Sequence, residues 1–126
     1  MQAASAHTIA ELTASDVFRL LADDTRLRAI CLLHGYGELC VCELTETLAV
    51  SQPKMSRHLA TLRDGGLVET RRSGQWIHYR LRGDLPAWAR TTLTNACDGL
   101  ATEAPFQSDA RRAARAIAKN RSECEL

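Results

Sequence analysis

Apolar residues recur every three or four positions in six stretches of the chain, which is the spacing of one face of an α-helix. The predicted helices cover about residues 16–21, 24–34, 41–49, 52–64, 85–100 and 108–121. Start and stop signals support them: Ser51 suits the cap before the fourth helix, and Gly65 and Gly66 suit its end. No Ser, Thr, Asp or Asn stands directly before the third helix, so we expect Cys40 in its cap position.

Between the fourth and fifth helices the apolar period changes from helical to alternating. Ile77, Tyr79 and Leu81 alternate with polar residues, and residues 68–72 form a second extended stretch across the turn at residues 73–75. Four helices, a hairpin and further helices are the order of a winged helix-turn-helix. The sequence therefore predicts a mainly α fold with a β-hairpin wing.

The chain has 126 residues, which suits one compact domain. No stretch approaches the roughly 18 apolar residues of a membrane-spanning helix, and no signal-peptide pattern is seen at the start. We therefore expect a cytoplasmic protein with no membrane partner. Its five cysteines are then expected to be reduced thiols, free to bind a metal or to react.

Charge is unevenly distributed along the chain. Residues 51–82 carry seven Lys or Arg and two acidic residues, although the net charge of the whole chain is only +1. Such a basic segment is typical of a polyanion-binding site. Met55, Leu59 and Leu62 mark the core side of the fourth helix, so its opposite face is free to meet DNA. The candidate DNA-binding residues are Gln52, Lys54, Ser56, Arg57, His58 and Thr61 on this helix, and Arg71, Arg72 and Gln75 near the hairpin tip.

Cys40 and Cys42 stand one residue apart at the start of the third helix. In a helix, positions i and i+2 point about 200° apart, whereas in an extended chain they face one side. Soft thiolates select soft ions, and a helix N-terminus favours the thiolate. Closing both sulfurs on one ion would therefore deform the turn that positions the fourth helix.

Three segments carry a family resemblance: ADDTRLRAI, ELCVCEL and SQPKMSRHLATLRDGGLVETRRSGQWIHYRL. With PAWA they resemble the arsenical-responsive branch of the ArsR/SmtB repressors, over about residues 16–90. The resemblance implies a homodimer, not an enzyme, that binds an imperfect palindrome in double-stranded operator DNA. It also implies that As(III) or Sb(III), bound by Cys40 and Cys42, releases the operator, with no organic cofactor. The implied organisation is a flexible N-terminal arm (1–14), a winged helix-turn-helix with dimerisation helices (15–103), and a C-terminal helix and tail (104–126).

The third sulfur ligand stays open. The family often has a third cysteine one turn further on, where this chain has Thr45. The candidates, in order, are Cys124 in the tail, an external thiol such as glutathione, and Cys97; Cys31 is predicted to be a core residue. A zinc site on the fifth helix is not supported, because residues 85–103 contain no His.

Two kinds of alternative function remain. One is a repressor on the same scaffold that responds to Cd, Pb or Hg, or to oxidation through a Cys40–Cys42 or Cys97–Cys124 disulfide. The other is a small thiol oxidoreductase built on the two neighbouring cysteines, for which the basic wing would have no purpose.

Overall fold

The computed structural model describes residues 12–124 of the chain, with side chains through residue 121. The first eleven residues of the predicted N-terminal arm lie outside the described residues. Within the described range the chain forms helices and a small sheet, in the order that the sequence predicts but with one added strand. In chain order the elements are α1 (Ala14–Leu21), α2 (Asp24–Tyr36), β1 (Leu39–Cys40), α3 (Val41–Leu48), α4 (Gln52–Asp64), β2 (Val68–Ser73), β3 (Trp76–Leu81), α5 (Ala87–Leu100) and α6 (Phe106–Cys124).

Side-chain caps define the starts of three helices. Thr13, Asp23 and Ser51 each accept a hydrogen bond from a backbone N–H in the first turn of α1, α2 and α4 respectively. Helix α2 runs two residues past its predicted end. Gly35 stays helical, and Gly37, at a φ of 87° in the left-handed region, ends the helix instead.

The sheet has three antiparallel strands in the order β1-β3-β2. The hairpin of β2 and β3 is the predicted wing, and the prediction of this element is confirmed. Strand β1 was not predicted because two residues are too few to show an alternating pattern. It pairs Leu39 with Tyr79 and Cys40 with His78, so the chain enters α3 directly from the sheet.

The core is formed by apolar faces of the helices packed on one side of this sheet. Met55, Leu59 and Leu62 are fully buried, which confirms the predicted inner face of α4. On α5 the buried positions are Ala89, Leu93 and Cys97. Their spacing of four residues leaves Trp88 on the outside of the helix, 41% exposed.

Helix α6 is longer than predicted and folds back across the domain. It starts at Phe106 and continues through Cys124, which the sequence had placed in the tail beyond the helix. Near its start Asp109 forms an ion pair with Arg28 of α2, and Arg112 donates a hydrogen bond to the Thr47 carbonyl of α3. These tertiary contacts hold a polar helix that its own weak apolar stripe would not stabilise. No helix within residues 12–124 is long and apolar enough to cross a membrane.

Candidate thiol site and nucleic-acid interface

Cys40 lies where the sheet ends and the helix-turn-helix begins. It is the last residue of β1 and the N-cap of α3, as the sequence predicts, with extended backbone angles (φ −89°, ψ 168°). Its side chain is only 3% exposed. Cys42 is the second residue of α3 and is exposed. The two thiols therefore occupy different environments, one buried and one open to solvent, although a single residue separates them.

A buried carboxylate organises the surroundings of Cys40. Glu43 is 1% exposed, and its Oε1 accepts a hydrogen bond from the Cys40 backbone N–H at 3.0 Å. Its Oε2 accepts from Asn120 Nδ2 at 3.1 Å and from Arg121 Nε at 3.2 Å, both on α6. Asn120 Nδ2 also lies 3.6 Å from Cys40 Sγ. The end of α6 thus covers the buried thiol.

Sequence reasoning missed these surrounding residues. A glutamate three positions after a helix cap is the spacing of a capping box, and this signal could have identified Glu43. Nothing in the sequence links Asn120 or Arg121 to Cys40, because they meet only through the packing of α6 on α3.

Burial raises the pKa of the Cys40 thiol above its ordinary value. The nearby Glu43 carboxylate and Cys42 thiol act in the same direction, whereas backbone N–H groups of Glu43 and Cys42 oppose them by favouring the thiolate. The effect of the helix N-terminus, which lowers the thiol pKa, is therefore smaller than the effect of burial, which raises it. In the free protein Cys40 is held as a neutral thiol.

Among the described side chains, no three Cys, His, Asp or Glu residues are grouped so as to hold a metal ion. Thr45, one turn after Cys42, donates its hydroxyl to the Cys42 carbonyl at 3.0 Å. The side chain of Cys124 lies outside the described residues; its backbone position is the last of α6, one turn beyond Asn120. Cys97 lines a different site, together with Cys31.

An ion-pair cluster joins the wing to the segment before Cys40. Arg71 of β2 makes a bidentate contact with the Glu38 carboxylate, with N–O distances of 2.7–3.2 Å. The hydrogen bond from Arg71 lowers the pKa of Glu38. The Glu38 carbonyl in turn accepts from Arg121 of α6 at 3.2 Å. The predicted DNA contact Arg71 is therefore already engaged within the fold, while Arg72 and Gln75 are exposed on the wing.

The outer face of α4 presents the predicted cationic surface. Gln52, Lys54, Arg57 and Thr61 are exposed, and Ser56 is half-buried. His58 is also half-buried, and its Nδ1 lies 3.4 Å from Arg26 Nη1 and 3.8 Å from Asp23 Oδ2, both at the start of α2.

A cleft of about 620 Å³ separates the starts of α2 and α4, and its charged lining residues include Asp23, Lys54 and Arg57. Lys54 and Arg57 are suited to contact phosphate, while Asp23 is engaged as the cap of α2.

A second thiol pair lies between α2 and α5. Cys31 is half-buried and Cys97 is 4% exposed, and both line one cavity of about 320 Å³. The interaction between the two thiols lowers the pKa of Cys31 and raises the pKa of Cys97. Sequence reasoning predicted Cys31 as core and did not pair it with Cys97, because the two residues stand on helices far apart in the chain.

Comparison with protein families and curated proteins gives consistent matches. The family described as "Bacterial regulatory protein, arsR family" matches residues 23–70. The arsenic resistance transcriptional regulator ArsR1 of Pseudomonas putida is 53% identical over 87 residues, which cover 69% of this chain and 68% of that protein. The arsenical resistance operon repressor of Escherichia coli is 45% identical over 106 residues, covering 82% of this chain and 91% of that protein.

Solved structures of regulators share the fold. HlyU from Vibrio cholerae superimposes with a TM-score of 0.59 at 34% identity, covering 66% of this chain and 86% of that one. The AntR antimony-specific transcriptional repressor gives a TM-score of 0.56 at 27% identity, covering 71% of this chain and 83% of that one.

Proposed function

The chain belongs to the ArsR family of bacterial transcriptional repressors, and from that premise we propose that trivalent arsenic or antimony releases it from its operator by binding Cys40 and Cys42. The family role is DNA binding rather than catalysis, and relatives are arsenical-resistance repressors. The observation that carries the proposal is the place of Cys40, which ends a strand paired with the wing and caps the first helix of the helix-turn-helix.

The donor chemistry fits a trivalent metalloid. Thiolates are soft ligands and select soft, thiophilic ions. Each S–As or S–Sb bond replaces one bond between the metalloid and a hydroxide. The thiol proton and that hydroxide leave together as water, so the exchange leaves no net charge at the site. A buried neutral thiol such as Cys40 is suited to this exchange, because burial disfavours a free thiolate there.

Binding by both sulfurs requires a change in the first turn of α3. Cys40 is buried against α6 while Cys42 faces solvent, so their sulfurs must be brought to one side. That movement alters the turn between β1 and α3, and with it the β1–β3 pairing at His78 and the contact of α3 with α4. A ligand that favours the altered state therefore lowers the population able to bind DNA.

The DNA interface combines α4 with the wing. Lys54, Arg57 and Thr61 face outward from α4, where a helix can read base edges in the major groove, and Arg72 and Gln75 extend from the wing. A two-fold dimer of this unit fits an imperfect palindrome with half-sites about 10 bp apart or a multiple of that. The exposed aromatic residues Phe18 on α1 and Trp88 on α5 are the apolar positions we assign to the dimer contact.

For the third sulfur we propose Cys124. Positions four apart lie on the same face of a helix, and Asn120, one turn earlier on α6, reaches Cys40 Sγ. We therefore rank Cys124 before an external thiol as the third ligand, because its backbone lies one turn beyond Asn120 on α6. Cys97 ranks last because it lines the cavity beside Cys31.

The test is a DNA mobility assay with the full-length chain under strictly reducing conditions. Arsenite should release operator DNA from the wild type, and Cys40→Ser and Cys42→Ser should remain bound at the same arsenite concentration. Cys31→Ser is the matched control, because this half-buried cysteine lies outside the proposed site, and it should release normally. Normal release from both Cys40→Ser and Cys42→Ser would refute the proposal.

Further arms of the assay separate the alternatives. Cd, Pb or Hg salts, each added alone, test a response to other soft metals. Peroxide without metalloid tests a redox response, which would require disulfide formation. Loss of arsenite response in Cys124→Ser, restored by added glutathione, would support Cys124 as third ligand; an unchanged response would assign that place to another donor.

A further inference from the structure

We propose that the outer face of helix α6 is a second cationic surface for DNA, on which Arg111 and Arg115 contact the sugar–phosphate backbone of the operator. The DNA interface proposed above consists of α4 and the wing and uses no residue of α6. The inference rests on that interface for the orientation of the domain on DNA, and it adds a separate contact to the same partner.

The exposed charges of α6 all have the same sign. From the start of the helix through residue 121, the charged side chains that are open to solvent are Arg111, Arg115, Lys119 and Arg121. The carboxylate in this stretch, Asp109, is 1% exposed and is engaged by the guanidinium groups of Arg28 and Arg112. The described part of α6 therefore turns its acidic residue inward and presents a positive face to solvent.

Arg111 and Arg115 are neighbours on this face. Residues four apart lie on the same side of a helix, with their side chains about 6 Å apart. Ala113 and Ala116 mark the opposite, buried side, so the two arginines point away from the domain. Within the described part of the chain neither arginine has a hydrogen bond or an ion pair, whereas Arg112 between them is paired with a buried carboxylate. Two guanidinium groups are thus available to an external anion.

The first half of α6 lies at the same end of the domain as the cleft between the starts of α2 and α4. Its Asp109 pairs with Arg28, which stands one turn after Thr25 in the lining of that cleft. Its Arg112 donates a hydrogen bond of 3.0 Å to the Thr47 carbonyl near the end of α3, and the residues that follow α3 also line the cleft. The positive face of α6 is therefore continuous with the end of the domain that presents α4 to DNA.

DNA is the partner whose chemistry fits this face. Guanidinium groups bind phosphate oxygens strongly, and such contacts position a protein on DNA without reading its sequence. The exposed neighbours of Arg111 and Arg115 on the helix include Ala114 and Ala118, whose small side chains let a DNA strand approach closely. Protein–protein interfaces instead have a core enriched in aromatic residues. The described outer face of α6 carries cations without such an apolar anchor, which favours a polyanion.

The test measures how DNA binding by the full-length protein depends on salt, using fluorescence anisotropy. One probe is a duplex that the wild type selects from a random-sequence library, and the other is a random-sequence duplex of equal length. In Arg111→Gln/Arg115→Gln the slope of log K against log salt should become shallower by about 2 per bound protomer, since each lost phosphate contact removes roughly 0.9. Affinity for both duplexes should fall by the same factor, because phosphate contacts carry no sequence information.

Lys119→Gln is the matched control for net charge, because it removes one positive charge from the same helix, further towards its other end. It should change the slope by less than Arg111→Gln or Arg115→Gln alone. Arg111→Lys/Arg115→Lys keeps both charges and should keep the wild-type slope.

An unchanged slope in the double Gln variant, with circular dichroism showing the wild-type fold, would overturn the proposal and leave the face to another occupant such as an acidic protein. An equal change in Lys119→Gln would reduce the effect to net charge and would overturn it as well. Arg57→Ala tests the α4 interface separately and should weaken binding to the selected duplex more than to the random one. The assay contains no metalloid, so none of its results depends on operator release through Cys40 and Cys42.

Discussion

Two pairs of cysteines in this protein lie in opposite arrangements. Cys40 and Cys42 are near neighbours in the chain, yet one is buried under α6 and the other faces solvent. Cys31 and Cys97 are remote in the chain, yet both line one cavity between α2 and α5. Under the proposed function, a ligand at Cys40 and Cys42 has to change the fold in order to bind both sulfurs, so its binding can act as a signal. Cys31 and Cys97 already line one cavity in the fold as it stands.

Each pair is flanked by a buried carboxylate that ties it to α6. Glu43 and Asp109 are both 1% exposed. Glu43 joins the Cys40 backbone to Asn120 and Arg121, and Asp109 joins α6 to α2 through Arg28. The first carboxylate thus holds the turn at Cys40, and the second holds a wall of the cavity beside Cys31.

The largest effect is expected from removing the carboxylate beside the second pair. Asp109→Ala leaves the Arg28 guanidinium without its buried partner, so we expect a loss of about 3–5 kcal/mol in the free energy of unfolding. Urea unfolding measures it. Asp64→Ala, at an exposed carboxylate on α4, should change stability by no more than about 0.5 kcal/mol. A loss below about 1 kcal/mol for Asp109→Ala would show that the cavity wall does not depend on this ion pair.

The next effect would change the first pair into a three-sulfur site. Thr45→Cys places a thiol one turn after Cys42, so arsenite affinity should rise by roughly 10²-fold through the added attachment point. Competition with a soluble dithiol measures the affinity. Thr45→Ser is the control and should leave affinity unchanged. If Thr45→Cys gives no gain, the first pair already has a complete set of three donors.

A smaller effect is expected from loosening the cover over Cys40. Arg121→Ala removes a half-exposed partner of Glu43, and we expect a loss of about 1 kcal/mol or less. Hydrogen exchange in the last turns of α6 should become faster, and Cys40 should be alkylated more readily. Lys119→Ala, which removes an exposed contact to Glu46 at 3.9 Å, should alter neither. Equal effects of the two substitutions would mean that Arg121 has no special part in covering Cys40.

The smallest expected difference is between the pKa values of the thiols in the two pairs. The pKa of Cys31 is lowered by its interaction with Cys97, whereas burial raises the pKa of Cys40. In proteins that keep only the Cys31–Cys97 pair or only Cys40, thiolate absorbance should therefore develop at lower pH for the pair. The reverse order would contradict the environments described for these thiols.

The sequence predicted the parts of the fold that repeat a local pattern. Met55, Leu59 and Leu62 show the inner face of α4, and Ile77, Tyr79 and Leu81 show the alternation of β3. Ser51 identifies the start of α4 because a cap acts on its own helix. These elements are specified by residues close together in the chain, so periodicity and capping suffice to predict them.

The missed features depend on contacts between distant segments. Strand β1 exists only through its pairing with β3, and the last turns of α6 gain contacts with Cys40 and Glu43 that no local pattern encodes. The cavity that Cys31 and Cys97 share likewise requires α2 and α5 to be packed first. For the same reason the sequence could indicate Cys40 and Cys42 as a site but could not show that one of them is buried.

Helix α6 touches both thiol sites and thereby joins them mechanically. Its 19 residues make a rod about 28 Å long, with Phe106 and Asp109 at the cavity beside Cys31 and Arg121 over the turn at Cys40. A displacement of the α6 end that lies over Cys40 would therefore reach the wall of the cavity beside Cys31, because both contacts belong to one helix.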